Sequence, residues 1–208
     1  MQSKGRRVVI FDCDGVMFDS RGANVAFYNK ILAQFEKRFL TEDDTDIVHM
    51  YTGEDSVNYL FQGDPRRAAA QEYRKLVDYS EFIPLMVMEP FLLEVLISLR
   101  GCCHLGIATN RTDTIGAILN VFGLEQFFEL VVCALDVELP KPDPEMLHKI
   151  LAFFELRPDE AVYIGDMPVD EEVARAARVP FIAYKNRKLN ADYHISDLRE
   201  LPVLAGCG

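Results

Sequence analysis

The sequence predicts a three-layer α/β fold with a parallel sheet, and two observations support this prediction. Short apolar runs recur along the chain, and each is nearly continuous, as in strands that are buried on both faces. Helical stretches separate the later runs, which is the order that βαβ units produce. We therefore expect a Rossmann-like core in which helices cover both faces of one sheet.

Six runs are the predicted strands. They are Val8–Phe11, Leu105–Ala108, Leu130–Cys133, Ala161–Ile164, Phe181–Ala183 and, as a short edge strand, Tyr193–Ile195. The helices predicted between the later strands are Thr114–Phe122, Pro144–Phe154 and Glu171–Ala177. Asp143 and Pro144 mark the start of the second helix, because they suit its N-cap and its first position.

Residues 19–88 interrupt this alternation of strands and helices. They contain no obvious buried strand, but Asn24–Phe39, Glu54–Phe61 and Pro65–Tyr79 have helical patterns. We therefore expect a small helical cap domain at 19–88, inserted after the first strand, and a core domain formed by 1–18 and 89–208. The last four residues, Ala205–Gly208, are predicted to be a loose tail.

The composition narrows the possible partners and compartments. The 208 residues include 33 acidic and 22 basic side chains, and this net charge of -11 disfavours general nucleic-acid binding. No apolar stretch is long enough to span a membrane, and the first apolar run ends at Asp12, too early for a signal peptide. We expect a monomer, because no exposed assembly stripe is evident.

The cysteine pattern predicts reduced thiols in a cytoplasmic protein. The chain has an odd number of cysteines, and none of them forms a CxxC pair, so neither a disulfide framework nor a zinc site is indicated. The five residues are Cys13, Cys102, Cys103, Cys133 and Cys207. The first four lie in apolar stretches and are predicted to fill the core.

Polar residues follow the ends of four predicted strands. In open α/β sheets, ligands bind beyond the carboxyl ends of the strands, so these side chains should meet at one edge of the sheet. In chain order they are Asp12 and Asp14, then Thr109, Asn110 and Arg111, then Lys141, and finally Asp166 and Asp170.

The acidic residues in this set suit two tasks. Asp12 and Asp14 are two residues apart, so extended geometry sends both carboxylates to the same side, where one can attack and the other can transfer a proton. Asp166 and Asp170 could join Asp12 in offering oxygen ligands to Mg²⁺. An ordinary Asp-Gly turn and a helix cap at Asp170 are the alternatives that these short patterns leave open.

The remaining polar residues suit phosphate. Thr109 and Asn110 supply a hydroxyl and an amide beside backbone N–H groups at a strand end, which can cradle a phosphoryl group. Lys141 lies between two prolines and can neutralise phosphate or crowded carboxylates. An ordinary turn and a solvated surface lysine are the plainer interpretations of these residues.

Together these segments resemble the haloacid-dehalogenase superfamily. Four motifs occur in the order that this superfamily has, and four in order are far more specific than one. They are VVIFDCDGVMFDS, IATNR, KPDPEML and YIGDMPVDEEVARAA. The insertion resembles the helical cap of the subgroup that includes phosphoglycolate phosphatases and β-phosphoglucomutases.

The resemblance implies a Mg²⁺-dependent phosphatase that acts on a small phosphorylated metabolite. Asp12 would be the nucleophile that forms an aspartyl-phosphate, and Asp14 the general acid and then base. Thr109 and Asn110 would bind the phosphoryl oxygens, while Lys141 would stabilise their charge. The implied metal ligands are Asp12, the backbone carbonyl of Asp14, Asp166 and Asp170.

The substrate is not predicted. Gly53 and Glu54 lie where the family places a substrate-facing cap loop, although a capped surface helix explains them equally well. Arg21 and Arg111 could meet a second anionic group or form surface ion pairs of little energy. A phosphomutase that passes the phosphoryl group back to a sugar phosphate, and a non-catalytic phosphometabolite-binding protein, are the alternative functions.

Overall fold

A computed structural model describes residues 7–207, and its strands form one large sheet and one short two-stranded antiparallel sheet. The strands are β1 (Val8–Phe11), β2 (Phe18–Asp19), β3 (Val87–Met88), β4 (His104–Thr109), β5 (Leu130–Cys133), β6 (Ala161–Gly165), β7 (Phe181–Tyr184) and β8 (Tyr193–Ile195). The large sheet has the order β5-β4-β1-β6-β7-β8, and every neighbouring pair in it is parallel. The predicted parallel sheet is therefore confirmed.

The α-helices among these residues follow the strands and fill the insertion. They are α1 (Arg21–Gln34), α2 (Glu42–Met50), α3 (Gly53–Leu60), α4 (Arg67–Leu76), α5 (Leu92–Arg100), α6 (Thr114–Val121), α7 (Glu145–Phe153), α8 (Pro168–Ala177) and α9 (Leu201–Ala205). No described helix is long and apolar enough to cross a membrane.

The central strand β1 shows why the fold has three layers. All four of its residues are fully buried, and they alternate between two cores. Val9 and Phe11 belong to the core that includes α5 and α6, whereas Val8 and Ile10 belong to the core that includes α7 and α8. A strand buried on both faces must be apolar throughout, which is the pattern that predicted it.

Helices α1 to α4 pack on one another and form the predicted cap. The antiparallel pair β2–β3 closes this segment at its base, because Phe18 pairs with Met88 and Asp19 with Val87. The chain thus enters the insertion at β2 and leaves it at β3, close to the predicted limits of residues 19 and 88. The division into core and cap domains stays a prediction that this pairing supports.

Several predicted helix boundaries differ from the structure. The helix predicted at Asn24–Phe39 ends at Gln34, because Glu36 adopts a left-handed conformation with φ 51°. The helix predicted to start at Glu171 begins at Pro168, since proline is well suited to the first helical position. Gly53, expected in a cap loop, is the first residue of α3.

Three helices, α2, α5 and α9, were not predicted, and the first two have clear signals. The start of α2 is a capping box, in which the Thr41 hydroxyl accepts from the Asp44 N–H and the Asp44 carboxylate accepts from the Thr41 N–H. Helix α5 buries residues at helical spacing, namely Leu92, Val95, Leu96 and Leu99. Both signals are present in the sequence.

The prediction of reduced cysteines is wrong for two of the five. Cys102 and Cys207 form a disulfide with a Cα–Cα distance of 5.9 Å, while Cys13, Cys103 and Cys133 are free. The bond fixes the chain just after α9, which packs against α5. The loose tail predicted for Ala205–Gly208 is therefore wrong up to Cys207, and Gly208 lies outside the described residues. Cys102 is also exposed instead of filling the core.

Candidate active site

The loop after β1 carries the two acids that start the site. The Asp12 N–H still donates to Ile164 on the neighbouring strand (2.9 Å), so the Asp12 carboxylate is fixed at the end of the sheet. Gly15 turns the chain away with φ +79°, and a Cβ at this position would collide with the Asp166 carboxylate. Glycine here therefore serves both the turn and the close approach of a second acidic loop.

Lys141 is the cation at the centre of the site. Its side chain is 2% exposed, and its Nζ donates to Asp12 Oδ1 at 2.7 Å, to Asp170 Oδ1 at 2.8 Å and to the Tyr163 hydroxyl at 2.8 Å. A buried ammonium group needs such acceptors, and these fill all three of its donor positions. The alternative of a solvated surface lysine is contradicted by this burial.

Asp170 supports the site in two ways. Its Oδ2 accepts the N–H groups of Met167 and Asp166 and so caps α8, while its Oδ1 accepts from Lys141 and Tyr163. The helix-capping interpretation of Asp170 is thus correct. The same carboxylate also contributes to the acidic cluster.

The carboxylates of Asp12, Asp166 and Asp170 form a cluster that fits a divalent cation. One oxygen from each lies within 4.8 Å of the others. Asp166 Oδ1 is buried, and no donor within residues 7–207 reaches it. A buried carboxylate oxygen without a donor is unfavourable unless a cation or a proton compensates it. The oxygen-only donor set suits Mg²⁺.

The protonation of these acids follows from the same crowding. Burial raises the pKa of Asp12 to about 7 against the opposing charge of Lys141, and the Asp170 carboxylate adds to the increase. Burial also raises the pKa of Asp166 well above its ordinary value, and Asp170 and Asp12 act in the same direction. A bound cation would reverse these shifts by favouring the ionised carboxylates.

Thr109 is the last residue of β4 and Asn110 follows it, but Asn110 is engaged differently from the prediction. Its side-chain NH₂ group donates to the carbonyls of Met50 and Lys141, both at 3.1 Å, and its side-chain oxygen accepts the Lys141 N–H at 2.9 Å. The amide therefore fixes the Lys141 backbone and has no side-chain N–H left for phosphate. The buried Thr109 hydroxyl accepts the Arg111 N–H at 3.2 Å and retains its own proton for donation.

Arg111 is part of the site and does not form a surface ion pair. Its side chain is 7% exposed, and Nη2 donates to Asp14 Oδ1 at 2.6 Å. The Ser20 hydroxyl donates to the same oxygen. Although burial alone would raise it, the Arg111 charge holds the pKa of Asp14 below its ordinary value.

The cap closes a cavity of about 610 Å³ over these groups. Its floor includes Asp12, Asp14 and Lys141, and its cap wall combines apolar side chains with Gly53 and Arg74. A Cβ at Gly53 would lie 2.9 Å from the Arg74 guanidinium, so this glycine leaves room for that side chain.

Two of the predicted selector residues lie elsewhere. Glu54 is exposed and does not line this cavity, which agrees with the alternative of a capped surface helix. Arg21 pairs with Asp46 at 2.7 Å on the surface, and both side chains are about half exposed (48% and 60%). Among the four predicted positions, only Gly53 and Arg111 face the cavity.

Several residues of the site were not predicted. Tyr163 lies within the apolar strand β6, and a hydroxyl at a fully buried strand position was the one signal that could have identified it. Asn24, His49 and Tyr79 come from the cap and line the same cavity. Nothing in their local sequence indicates this, because their contact with the core depends on how the cap folds back.

Known proteins are similar to this chain in sequence and in fold. The family of haloacid dehalogenase-like hydrolases matches residues 9–184. A phosphoglycolate phosphatase of Rhodobacter capsulatus is 28% identical over 95% of this chain and 94% of its own length. The pyrophosphatase PpaX of Bacillus velezensis is 28% identical over 80% of this chain and 77% of its own.

Solved structures are also similar to this chain. The crystal structure of a HAD-superfamily hydrolase, subfamily IA, variant 1, from Geobacter sulfurreducens is 39% identical, with a TM-score of 0.85 over 96% of this chain and 99% of that one. The match covers both the sheet and the helical insertion. The chain therefore belongs to the haloacid dehalogenase-like hydrolase family.

Proposed function

We propose that this protein is a Mg²⁺-dependent phosphatase that hydrolyses a small phosphomonoester through an aspartyl-phosphate on Asp12. One observation carries the proposal: the Asp12 carboxylate belongs to the acidic cluster and accepts a hydrogen bond from Lys141, at the floor of the cavity beneath the cap. Metal binding alone does not require a second acid such as Asp14 beside the first, whereas phosphoryl transfer does.

Mg²⁺ bound by Asp12, Asp166, Asp170 and the Asp14 carbonyl would neutralise charge on the phosphoryl group. In the first step, Asp12 attacks phosphorus, and the bond to the ester oxygen breaks. Asp14 in its protonated form gives its proton to the leaving oxygen. Lys141 stabilises the charge on the phosphoryl oxygens, together with the Thr109 hydroxyl and backbone N–H groups such as that of Asn110.

In the second step, water attacks the phosphorus of the aspartyl-phosphate. Asp14 accepts the proton of that water, and the bond between phosphorus and Asp12 breaks, which releases inorganic phosphate. The Arg111 contact favours the ionised form of Asp14, which is the form that this step requires. One carboxyl group thus serves as acid and then as base.

The cavity supports a small substrate with a second negative charge. Its volume is near the middle of the range for small-molecule sites. Arg111 is already paired with Asp14, whereas Arg74 on the cap wall has only a hydrogen bond to Gln71 (3.2 Å) among the described residues. We therefore assign contact with a carboxylate or a second phosphate to Arg74, with Gly53 providing the space.

A cytoplasmic location and a monomeric state stay proposals. The first conflicts with the Cys102–Cys207 disulfide, since stable disulfides are uncommon in a reducing cytosol. Fractionation of the native host would test the location, and pelleting with membranes would contradict it. Analytical ultracentrifugation would test the monomeric state, and sedimentation as a dimer would contradict that.

The decisive experiment measures phosphate release from a panel of phosphorylated metabolites, with Mg²⁺ and with EDTA. Release that requires the metal supports the proposal, and Asp12→Asn should abolish it. Acid-quenched Asp14→Asn protein should retain labelled phosphate on Asp12, because the second step lacks its base. Isomerisation of a phosphosugar without phosphate release would instead identify a mutase, and tight binding without turnover a binding protein.

A further inference from the structure

Four cap and core residues form a chain of hydrogen bonds that ends on Asp14. The Tyr79 hydroxyl donates to Asn24 Oδ1 at 2.7 Å and accepts from Arg111 Nη2 at 3.1 Å. Arg111 Nη2 also donates to Asp14 Oδ1 at 2.6 Å. Asn24 and Tyr79 belong to the cap, whereas Arg111 and Asp14 belong to loops of the sheet, so the chain crosses between the two parts.

The donors and acceptors of this hydrogen-bond chain are consistent with one direction of donation throughout. Asn24 Nδ2 lies 3.1 Å from His49 Nδ1, and with this nitrogen as acceptor the Asn24 oxygen is free to accept from Tyr79. The Tyr79 oxygen then accepts from Arg111, since guanidinium can only donate. Asn24 and Tyr79 are both 8% exposed, so water does not compete strongly for these groups.

This hydrogen-bond chain fixes one carboxylate oxygen of Asp14 and leaves the other available for a substrate. Oδ1 accepts from both Arg111 and Ser20, whereas no donor in residues 7–207 is bonded to Oδ2. A carboxyl group anchored through one oxygen presents its other oxygen in a set direction. This is the requirement for a general acid, which must lie within hydrogen-bond reach of the leaving oxygen.

Arg111 depends on the cap for its own position. Its guanidinium lies 4.9 Å from the centre of the Tyr79 ring, which adds a cation–π contact to the hydrogen bond. The Nη1 contact to Thr114 is long, at 3.3 Å, and Nε has no partner among the described residues. Tyr79 and Asp14 therefore hold the buried end of Arg111 between them.

We propose that Tyr79 and Asn24 are positioning residues, which orient the Asp14 carboxyl through Arg111 and so make proton transfer depend on the cap. The proposal rests on the phosphatase function argued above. Neither residue touches the acidic cluster, so their loss should impair the proton donor and leave attack by Asp12 intact.

Leaving groups of different basicity distinguish this role from a structural one. Nitrophenolate departs with little help from an acid, whereas an alkoxide needs a proton. Tyr79→Phe should lower kcat/KM on 2-phosphoglycolate about 10-fold and kcat/KM on p-nitrophenyl phosphate less than about 2-fold, since small misplacements of catalytic groups are costly. The ratio kcat/KM is compared because it reports the steps up to departure of the leaving group and excludes the hydrolysis of the aspartyl-phosphate, in which Asp14 acts as base on both esters. Equal losses on both esters would overturn the proposal.

Asn24→Leu should produce the same pattern, because it removes the acceptor that orients the Tyr79 hydroxyl. The double variant should be no worse than either single one, since the two residues act as one chain. Tyr59→Phe is the matched control: this cap hydroxyl donates to Asp44 at 3.1 Å outside the cavity, and its loss should leave both rates unchanged. Additive losses in the double variant would contradict a common chain.

A crystal structure of Tyr79→Phe tests the proposal independently of turnover. We expect Arg111 Nη2 to leave hydrogen-bond distance of Asp14 Oδ1. An unchanged contact of 2.6 Å would overturn the positioning role even if the enzyme were active. A displaced Arg111 in a protein whose wild type hydrolyses neither ester would support the positioning role and reject only the phosphatase assignment.

Discussion

The ammonium group of Lys141 lies 2.7 Å from the carboxylate of Asp12, and it comes from the loop after a different strand. The two residues are 129 positions apart in the chain. Their contact gives Asp12, the proposed nucleophile, a permanent counter-charge, which would reduce its repulsion of an anionic phosphoryl group. Under the proposed function, this pairing would offset the main electrostatic obstacle to attack on a phosphate ester.

Replacement of Lys141 by methionine should lower kcat about 10²- to 10³-fold at saturating Mg²⁺, the usual effect of removing one group that stabilises developing charge. Steady-state kinetics with the best ester of the panel would measure this, and circular dichroism would confirm the fold. Lys188→Met is the control, because that lysine is exposed. Activity within about twofold of wild type for Lys141→Met would contradict the role.

The pKa of Asp12 leads to a prediction about stability without metal. The folded value of about 7 lies above the ordinary value of 3.8, so the folded protein binds more protons between these two pH values. Stability should therefore fall as pH rises through this window. Asp12→Asn removes the titration and should raise Tm at pH 8 in EDTA by roughly 2–8 °C, which corresponds to about 1–2 kcal/mol at this chain length.

Differential scanning fluorimetry from pH 4 to pH 8 in EDTA would measure this effect. The advantage of Asp12→Asn should shrink towards pH 4, since the folded protein then keeps Asp12 protonated and the unfolded chain is partly protonated too. Asp46→Asn, on the exposed surface, should follow the wild type at every pH. A lower Tm for Asp12→Asn at pH 8 would show that the ionised carboxylate stabilises the fold.

The sheet and the position of the site were predictable, because both follow from local composition. Strands buried on two faces must be apolar, and the residues that follow them must gather at one edge. The contacts of Arg111 and Asn110 were not predictable in this way. Whether a polar side chain points to substrate or to a neighbouring loop depends on long-range packing, as the bonds from Asn110 to Met50 and Lys141 show.

The disulfide was not predictable from the sequence for a related reason. Cys102 and Cys207 are separated by 105 residues, and only the packing of α9 on α5 brings them together. The number and spacing of the cysteines carry no information about which of them meet through tertiary packing, so they could not reveal this pair. Helix α2 is different, because Thr41 and Asp44 already marked its start.

Reduction of the Cys102–Cys207 disulfide should destabilise the protein. A loop of about 100 residues contributes about 4–5 kcal/mol in the chain-entropy model, so Tm should fall by an amount on the order of 10 °C in reducing agent. The Cys102→Ser/Cys207→Ser double variant should melt at the temperature of the reduced wild type. A reductant-dependent shift in that double variant would assign the effect to another thiol.

Gly15 and Gly116 form a matched pair for alanine substitution. At Gly15 the φ is +79° and the new methyl group would collide with the Asp166 carboxylate, so Gly15→Ala should weaken Mg²⁺ binding and lower activity at least about 10-fold. Gly116 lies within α6, where an added Cβ would meet no other atom within 4 Å, and Gly116→Ala should stabilise the helix by about 1 kcal/mol.

Calorimetric titration with Mg²⁺ and thermal melting would test the two variants together. Gly15→Ala should lose metal affinity more than it loses stability, because the clash falls on a carboxylate of the proposed metal site at the edge of the sheet. Gly116→Ala should keep the wild-type affinity while its Tm rises. Wild-type Mg²⁺ affinity in Gly15→Ala would mean that Asp166 can move aside without cost, and hence that its position beside Gly15 is not required for the metal site.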